Sequence, residues 1–204
     1  MKPRILVFDS GVGGLSVARA VLRRLPDANV AYAADNEGFP YGDWSEGELN
    51  DRICRVIGGL IEECRPSLAV IACNTASTVA LERLRRTYGI PFVGTVPAIK
   101  PASETSVSGI IGVLATPGTV NRAYTRALID TFASHREVVL HGCKRLADMA
   151  ERVLRGEALE RAELAAEIAP VFKTGSDGRR TDTVVLGCTH YPLIFRLQIN
   201  PLCV

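Results

Sequence analysis

Two cysteines of this chain stand in matching context. Leu68-Ala69-Val70-Ile71-Ala72 runs into Cys73-Asn74-Thr75, and Thr183-Val184-Val185-Leu186-Gly187 runs into Cys188-Thr189-His190. Each time, an apolar run that reads as a buried strand ends on a thiol, and polar donors follow at once. In open α/β sheets ligands bind beyond the carboxyl ends of the strands, so both thiols stand where a small ligand would sit. Backbone N–H groups and the dipole of a following helix favour an anion there. They predict a thiol pKa below the free value of about 8.5. The same N–H groups, joined by Asn74, Thr75 and Thr189, suit a small carboxylate. Two such thiols on opposite faces of a carbon acid would do complementary work, one removing a proton as thiolate and the other supplying one as thiol. A free thiol is only a few per cent ionised at neutral pH, so each needs a tuning neighbour. His190, two residues past Cys188, is placed to be one. Either cysteine alone would read better as a small residue filling a tight strand end; the repetition points to function.

A glycine-rich turn, Phe8-Asp9-Ser10-Gly11-Val12-Gly13-Gly14-Leu15-Ser16, follows another strand and opens a helix. It is a poor dinucleotide fingerprint, because Ser16 occupies the third glycine position. No Gly-Lys-Ser/Thr follows, which excludes a P-loop, and Phe8 stands where a nucleophile elbow needs glycine. What remains is a backbone that a small ligand can approach closely, with Asp9 at the strand end as a candidate site residue or a cap. Gly38-Phe39-Pro40-Tyr41-Gly42 reads as a turn carrying an aromatic.

These residues need a scaffold, and the alternation of apolar runs with helix-period segments predicts an α/β fold with parallel strands. The strands fall at Arg4–Phe8, Val30–Ala33, Leu68–Ala72, Phe92–Gly94, Ile110–Ala115, Glu137–Leu140 and Thr183–Leu186. A capping box, Ser45 with Glu48, opens a helix whose apolar stripe holds Leu49, Ile53, Val56, Ile57, Leu60 and Ile61 until Arg65-Pro66 stops it. Cys54 and Cys64 lie on or beside that stripe and read as small buried hydrophobes. The stretch 95–108, rich in Pro, Ser and Thr, reads as a break between similar units 1–95 and 96–204, and the loop 174–180 as a second break.

With 204 residues, 47% hydrophobic and a formal charge of +2, the composition is that of an ordinary globular chain. Basic residues alternate with acidic ones on helix-like segments, which argues against a nucleic-acid footprint. No apolar run approaches the roughly 18 residues of a membrane span, and the N-terminus has no signal-peptide core. The expectation is a cytoplasmic protein with six reduced thiols, none in a C-x-x-C pair, which argues against structural zinc.

Taken together, these stretches resemble glutamate racemases of the aspartate/glutamate racemase superfamily. The blocks are Val7-Phe8-Asp9-Ser10-Gly11-Val12-Gly13-Gly14-Leu15, Phe39-Pro40-Tyr41-Gly42, Ala72-Cys73-Asn74-Thr75-Ala76, Val96-Pro97-Ala98-Ile99-Lys100-Pro101, Gly112-Val113-Leu114-Ala115-Thr116 and Gly187-Cys188-Thr189-His190-Tyr191-Pro192-Leu193. The resemblance implies two similar α/β units of parallel sheet flanked by helices, with the active site in the cleft between them. It implies interconversion of L- and D-glutamate without cofactor or metal, supplying D-glutamate for peptidoglycan. Cys73 and Cys188 would be the paired acid/bases, assisted by Asp9 and His190. Asp9, Ser10, Tyr41, Gly42, Asn74, Thr75, Thr189 and His190 would contact glutamate, and a homodimer is compatible with the family.

Two departures stand out. The family's Gly-Cys-Pro block reads Gly142-Cys143-Lys144 here, and Glu151 follows; neither Cys143 nor Glu151 enters the expected catalytic set. The chain also stops soon after the second cysteine block. Phe195–Val204 resembles neither a family helix nor a capped terminus, so the usual return to the first unit is expected to be missing. The rival readings are a shortened binding or regulatory relative, a racemase of aspartate, and a decarboxylase. Two intact thiols argue against the decarboxylase, which needs only one.

Overall fold

The computed structural model describes residues 2–198, with side chains through residue 195, and has two parallel sheets flanked by helices. The first sheet holds β1 (Arg4–Asp9), β2 (Asn29–Ala34), β3 (Leu68–Ile71) and β4 (Phe92–Gly94), in the order β2-β1-β3-β4. The second holds β5 (Ile110–Ala115), β6 (Glu137–Gly142) and β7 (Thr183–Leu186), in the order β6-β5-β7. The chain divides into two compact units between Val96 and Pro97, one sheet in each.

In the first unit β1 is buried from Ile5 to Asp9, as a strand covered on both faces must be. Leu6 and Phe8 pack on Leu49, Ile53 and Ile57 of α2 (Glu46–Cys64) and on Ala76, Ala80 and Leu84 of α3 (Asn74–Thr87). Ile5 and Val7 point the other way, to Ala18 of α1 (Leu15–Arg24). Each fully buried Leu, Ile or Phe contributes about 1.5–3 kcal/mol, so this double layer holds β1 rigidly. Helix α2 ends where Arg65, at φ 45°, takes the left-handed conformation before Pro66. Its expected capping box does not form: the Ser45 hydroxyl donates to the Glu48 carboxylate and caps no backbone N–H. The nearer charged acceptor wins the hydroxyl. Cys54 is buried, as read, whereas Cys64 at the helix end is half-buried.

In the second unit β5 is buried throughout. Ile111 and Val113 pack with Val185 of β7 and with Ile99 and Ala102 of α4 (Ile99–Thr105). That helix lies within the stretch 95–108 read as a break: two buried apolar residues outweigh the local Pro and Ser signals. On the other face Gly112 lets the 3₁₀ turn Ala169–Val171 close in, since a Cβ there would lie 2.9 Å from Val171 Cβ. The remaining helices are α5 (Pro117–Val120), α6 (Ala123–Phe132), α7 (Leu146–Leu154), α8 (Arg161–Ile168) and α9 (Tyr191–Gln198). Phe195–Gln198, which resembled no family helix in sequence, belongs to α9, and residues 199–204 lie outside the described residues. The loop 174–180 turns through Gly178 at φ 81°, with Thr174 and Arg180 bridged.

Candidate active site

Each sheet has one topological switch point. In the first, the chain leaves β1 to one side for β2 and crosses to the other for β3, so the switch lies between β1 and β3. In the second it lies, by the same logic, between β5 and β7. The carboxyl ends flanking these points are where an open sheet binds ligands. Cys73 directly follows Ala72 beyond β3, and Asp9 ends β1; Cys188 follows Gly187 beyond β7, and Thr116 follows β5. Both thiols therefore occupy corresponding places in their own units.

In the first unit Cys73 is the N-cap of α3, its sulfur accepting from the Ala76 N–H at 3.5 Å. The Ser10 hydroxyl lies 3.8 Å from that sulfur and donates to Asp9 Oδ1 at 3.3 Å. Asp9, wholly buried, also accepts from the Gly11 N–H at 3.2 Å. Glycine is obligatory at Gly14, where a Cβ would lie 2.7 Å from both Asp9 Cβ and Oδ2. Burial, reinforced by the Asp9 charge, pushes the Cys73 thiol up to about 12, overriding the N–H groups of Ala76 and Thr75 and the Ser10 hydroxyl. This reverses the direction expected from the helix terminus alone: desolvation of a fully enclosed thiolate exceeds what those hydrogen bonds return. Asn74 and Thr75 are buried in the first turn of α3, and Asn74 Oδ1 has no hydrogen-bond partner among the described residues.

Tyr41 and Gly42 lie in a 3₁₀ turn, with Tyr41 buried beside Phe8. The Tyr41 hydroxyl donates to Asp35 Oδ2 at 2.6 Å, and Arg52 grips the same carboxylate with two N–H groups at 2.7 and 2.5 Å. Burial works against the Asp35 charge, but the Arg52 and Tyr41 hydrogen bonds outweigh it and hold the carboxyl below its usual range. Sequence reasoning missed Asp35 and Arg52, which lie 17 residues apart and share no motif.

In the second unit Cys188 Sγ lies 3.8 Å from His190 Nδ1, and His190 Nε2 lies 2.9 Å from Glu151 Oε1 on α7. Cys188, Thr189 and His190 are all buried. Glu151, excluded from the expected set, is thus the imidazole's partner. Its only sequence signal was a place in the helix after the altered Gly142-Cys143-Lys144 block. Asp9, Ser10, Cys73, Asn74 and Thr75 gather at the first switch point, and Cys188, Thr189 and His190 gather at the second. A thiol beside a buried carboxylate and a thiol beside a carboxylate-held imidazole are each equipped to exchange a proton with carbon.

The chain is similar to known racemases. Residues 16–203 match the family model described as Asp/Glu/Hydantoin racemase. The chain is 56% identical over 191 residues to a glutamate racemase of Brucella canis, spanning 93% of this chain and 69% of that one. It is similar to the crystal structure of Escherichia coli glutamate racemase in complex with L-glutamate and the activator UDP-MurNAc-Ala. That likeness has a TM-score of 0.89 and 44% identity, over 98% of this chain and 75% of the other. It is also similar to the Francisella tularensis glutamate racemase in complex with D-glutamate, with a TM-score of 0.74, 28% identity, and 96% and 71% of the two chains covered.

Proposed function

The chain belongs to the Asp/Glu/hydantoin racemase family, and on that premise we propose that it interconverts L- and D-glutamate through Cys73 and Cys188, without a cofactor. The observation that carries the reading is the matched placement of the two thiols, each at the switch point of its own sheet, Cys73 linked through the Ser10 hydroxyl to Asp9 and Cys188 beside His190. One cysteine, as thiolate, takes the α-proton and becomes a thiol. The other gives its proton to the opposite face of the carbanion and becomes a thiolate. The atoms balance, and the two exchange roles with the handedness of the substrate.

Asp9 and Ser10 tune Cys73; His190, held by Glu151, tunes Cys188. With Cys73 raised to about 12, its resting state at neutral pH is the thiol. The substrate's α-ammonium supplies the positive charge that ionisation requires, so ionisation is coupled to binding. Asn74, Thr75 and Thr189 are assigned as donors to the substrate carboxylates, with Tyr41 and Gly42 as further substrate contacts. The reduced thiols suit the cytoplasm, where D-glutamate is needed for peptidoglycan.

Incubation with L-glutamate followed by chiral chromatography tests the proposal. D-Glutamate should accumulate toward an equal mixture, and Cys73→Ala and Cys188→Ala should each abolish it while thermal unfolding stays cooperative. Persistence of racemisation in either variant would overturn the assignment.

A further inference from the structure

On the outer edge of the second sheet, His141 and Cys143 stand two residues apart at the end of β6. Strand geometry directs them to one face while Gly142 between them faces the other. Gly142 indeed abuts Pro117, since a Cβ there would lie 3.0 Å from Pro117 Cα. On the His141/Cys143 face, the last turn of α8 brings in Glu167. One ligand atom from each of the three, an imidazole nitrogen, the thiol sulfur and a carboxylate oxygen, lies within 4.8 Å of the other two.

We propose that His141, Cys143 and Glu167 form a binding site for a divalent transition cation of the zinc type. The donor set is one imidazole nitrogen, one thiolate and one carboxylate oxygen, the mixture zinc takes in tetrahedral sites with water as a fourth ligand. Metal–ligand bonds of about 2.0–2.3 Å place tetrahedral ligand atoms roughly 3.3–3.8 Å apart, so closure requires a contraction of about an ångström. Rotation of the His141 and Glu167 side chains, both part-exposed, supplies it without moving the strand. Binding releases the Cys143 proton to solvent, and the resulting thiolate and carboxylate balance the two positive charges.

Two features outside the ligand set fit the same reading. The Arg145 backbone N–H donates to Glu167 Oε1 at 2.9 Å, orienting the carboxylate as a supporting hydrogen bond orients a metal ligand. The Tyr191 side chain is wholly enclosed, with its hydroxyl facing the Cys143 thiol as a donor and making no other hydrogen bond among the described residues. A metal-bound Cys143 thiolate is a stronger acceptor for this hydroxyl than the neutral thiol. The principal competitor for Glu167 is the Arg145 guanidinium, at 3.5 Å from Oε2 and shared with Glu163. In that pair the Arg145 side chain is 55% exposed and the Glu167 side chain 11%, so a divalent ion must displace the guanidinium from a largely covered carboxylate.

The test is a titration of the metal-stripped full chain with Co²⁺, followed by displacement with Zn²⁺. One equivalent of Co²⁺ should bind with a thiolate charge-transfer band and four-coordinate visible bands, and Zn²⁺ should bleach them and raise Tm. Cys143→Ser should lose the charge-transfer band. His141→Ala and Glu167→Gln, both at part-exposed positions, should each weaken binding roughly tenfold or more. Absence of stoichiometric binding overturns the proposal. So does a charge-transfer band that survives in Cys143→Ser, or an affinity unchanged in both His141→Ala and Glu167→Gln, because the metal would then sit on other thiols. None of these readouts depends on racemisation.

Discussion

His190 Nε2 and Glu151 Oε1 are 2.9 Å apart, joining two residues 39 positions distant in the chain. A carboxylate oxygen only accepts, so Nε2 carries the proton and the neutral ring presents Nδ1 as a base. Nδ1 is the nitrogen 3.8 Å from Cys188 Sγ. In the proposed mechanism Glu151 thereby favours the tautomer in which Nδ1 faces the thiol as an acceptor.

The first prediction follows. Glu151→Gln keeps the size of the side chain but removes the charge, and should lower kcat by roughly a hundredfold or more, with little change in KM. Steady-state kinetics in both directions, alongside the unfolding temperature, would check it. Unchanged kcat would show that the imidazole is oriented by something else.

In the first unit the Asp9 charge adds to burial in raising Cys73. Asp9→Asn removes the charge and leaves the burial, so the Cys73 thiol should titrate at lower pH than in the parent, though still above a free thiol. The difference in thiolate ultraviolet absorbance between each protein and its Cys73→Ser derivative, followed across pH, reads this directly. A titration unmoved or shifted upward would refute the electrostatic role given to Asp9.

The Asp35–Arg52 pair carries the Tyr41 turn and is largely withdrawn from water, with side-chain exposures of 6% and 15%. Arg52→Met strands a buried carboxylate and should cost about 3–5 kcal/mol of stability. Combining it with Asp35→Asn should cost less than the sum of the two single changes, because no charge is then left unpaired. Denaturant unfolding of the four proteins checks the cycle, and strict additivity would contradict the coupling.

Much of this scaffold was legible in the sequence, and the misses share a cause. The seven strands stand where β-branched apolar runs place them, because burial on both faces demands such runs. β6 was read two residues short because His141 and Gly142 carry no apolar signal, and β1 and β2 were read short by the polar or small Asp9, Asn29 and Ala34 at their ends. Cys73 and Cys188 stand out in the sequence as candidates because a strand, a thiol and polar donors are contiguous in the chain. Glu151, Asp35 and Arg52 were missed because their roles depend on partners brought close by folding. The direction of the Cys73 shift was misjudged for a related reason: a helix terminus is visible in sequence, whereas complete enclosure of one sulfur is not. The stretch 95–108 does hold the division between the units, and its turn-forming residues masked only the short helix that the burial of Ile99 and Ala102 adds there.

Asp182 gives a test of stability remote from the thiols. Its exposed carboxylate works against partial desolvation, yet accepts from Ser106 Oγ at 2.7 Å and from the Val107 and Ser108 N–H groups at 2.8 and 2.6 Å. These hold its pKa below the usual carboxylate value, with Thr183 adding a further donor. A depressed folded-state pKa contributes stability that is present above the unfolded value of about 3.9 and lost as pH falls below it. Asp182→Asn should therefore lower Tm at pH 7, with the gap to the parent narrowing as pH drops through about 4. A gap independent of pH would mean that the carboxylate charge is irrelevant to this loop.

The central claim is that two thiols act from opposite faces of one carbon, and heavy water tests it most directly. Folded protein supplied with L-glutamate in deuterium oxide should form D-glutamate carrying α-deuterium, while the L-glutamate still present early in the reaction keeps its proton. That asymmetry requires one group to remove the proton and a different, solvent-equilibrated group to replace it. Early deuterium in the unreacted L-glutamate at the rate of inversion, or inversion without any deuterium, would contradict the two-thiol account.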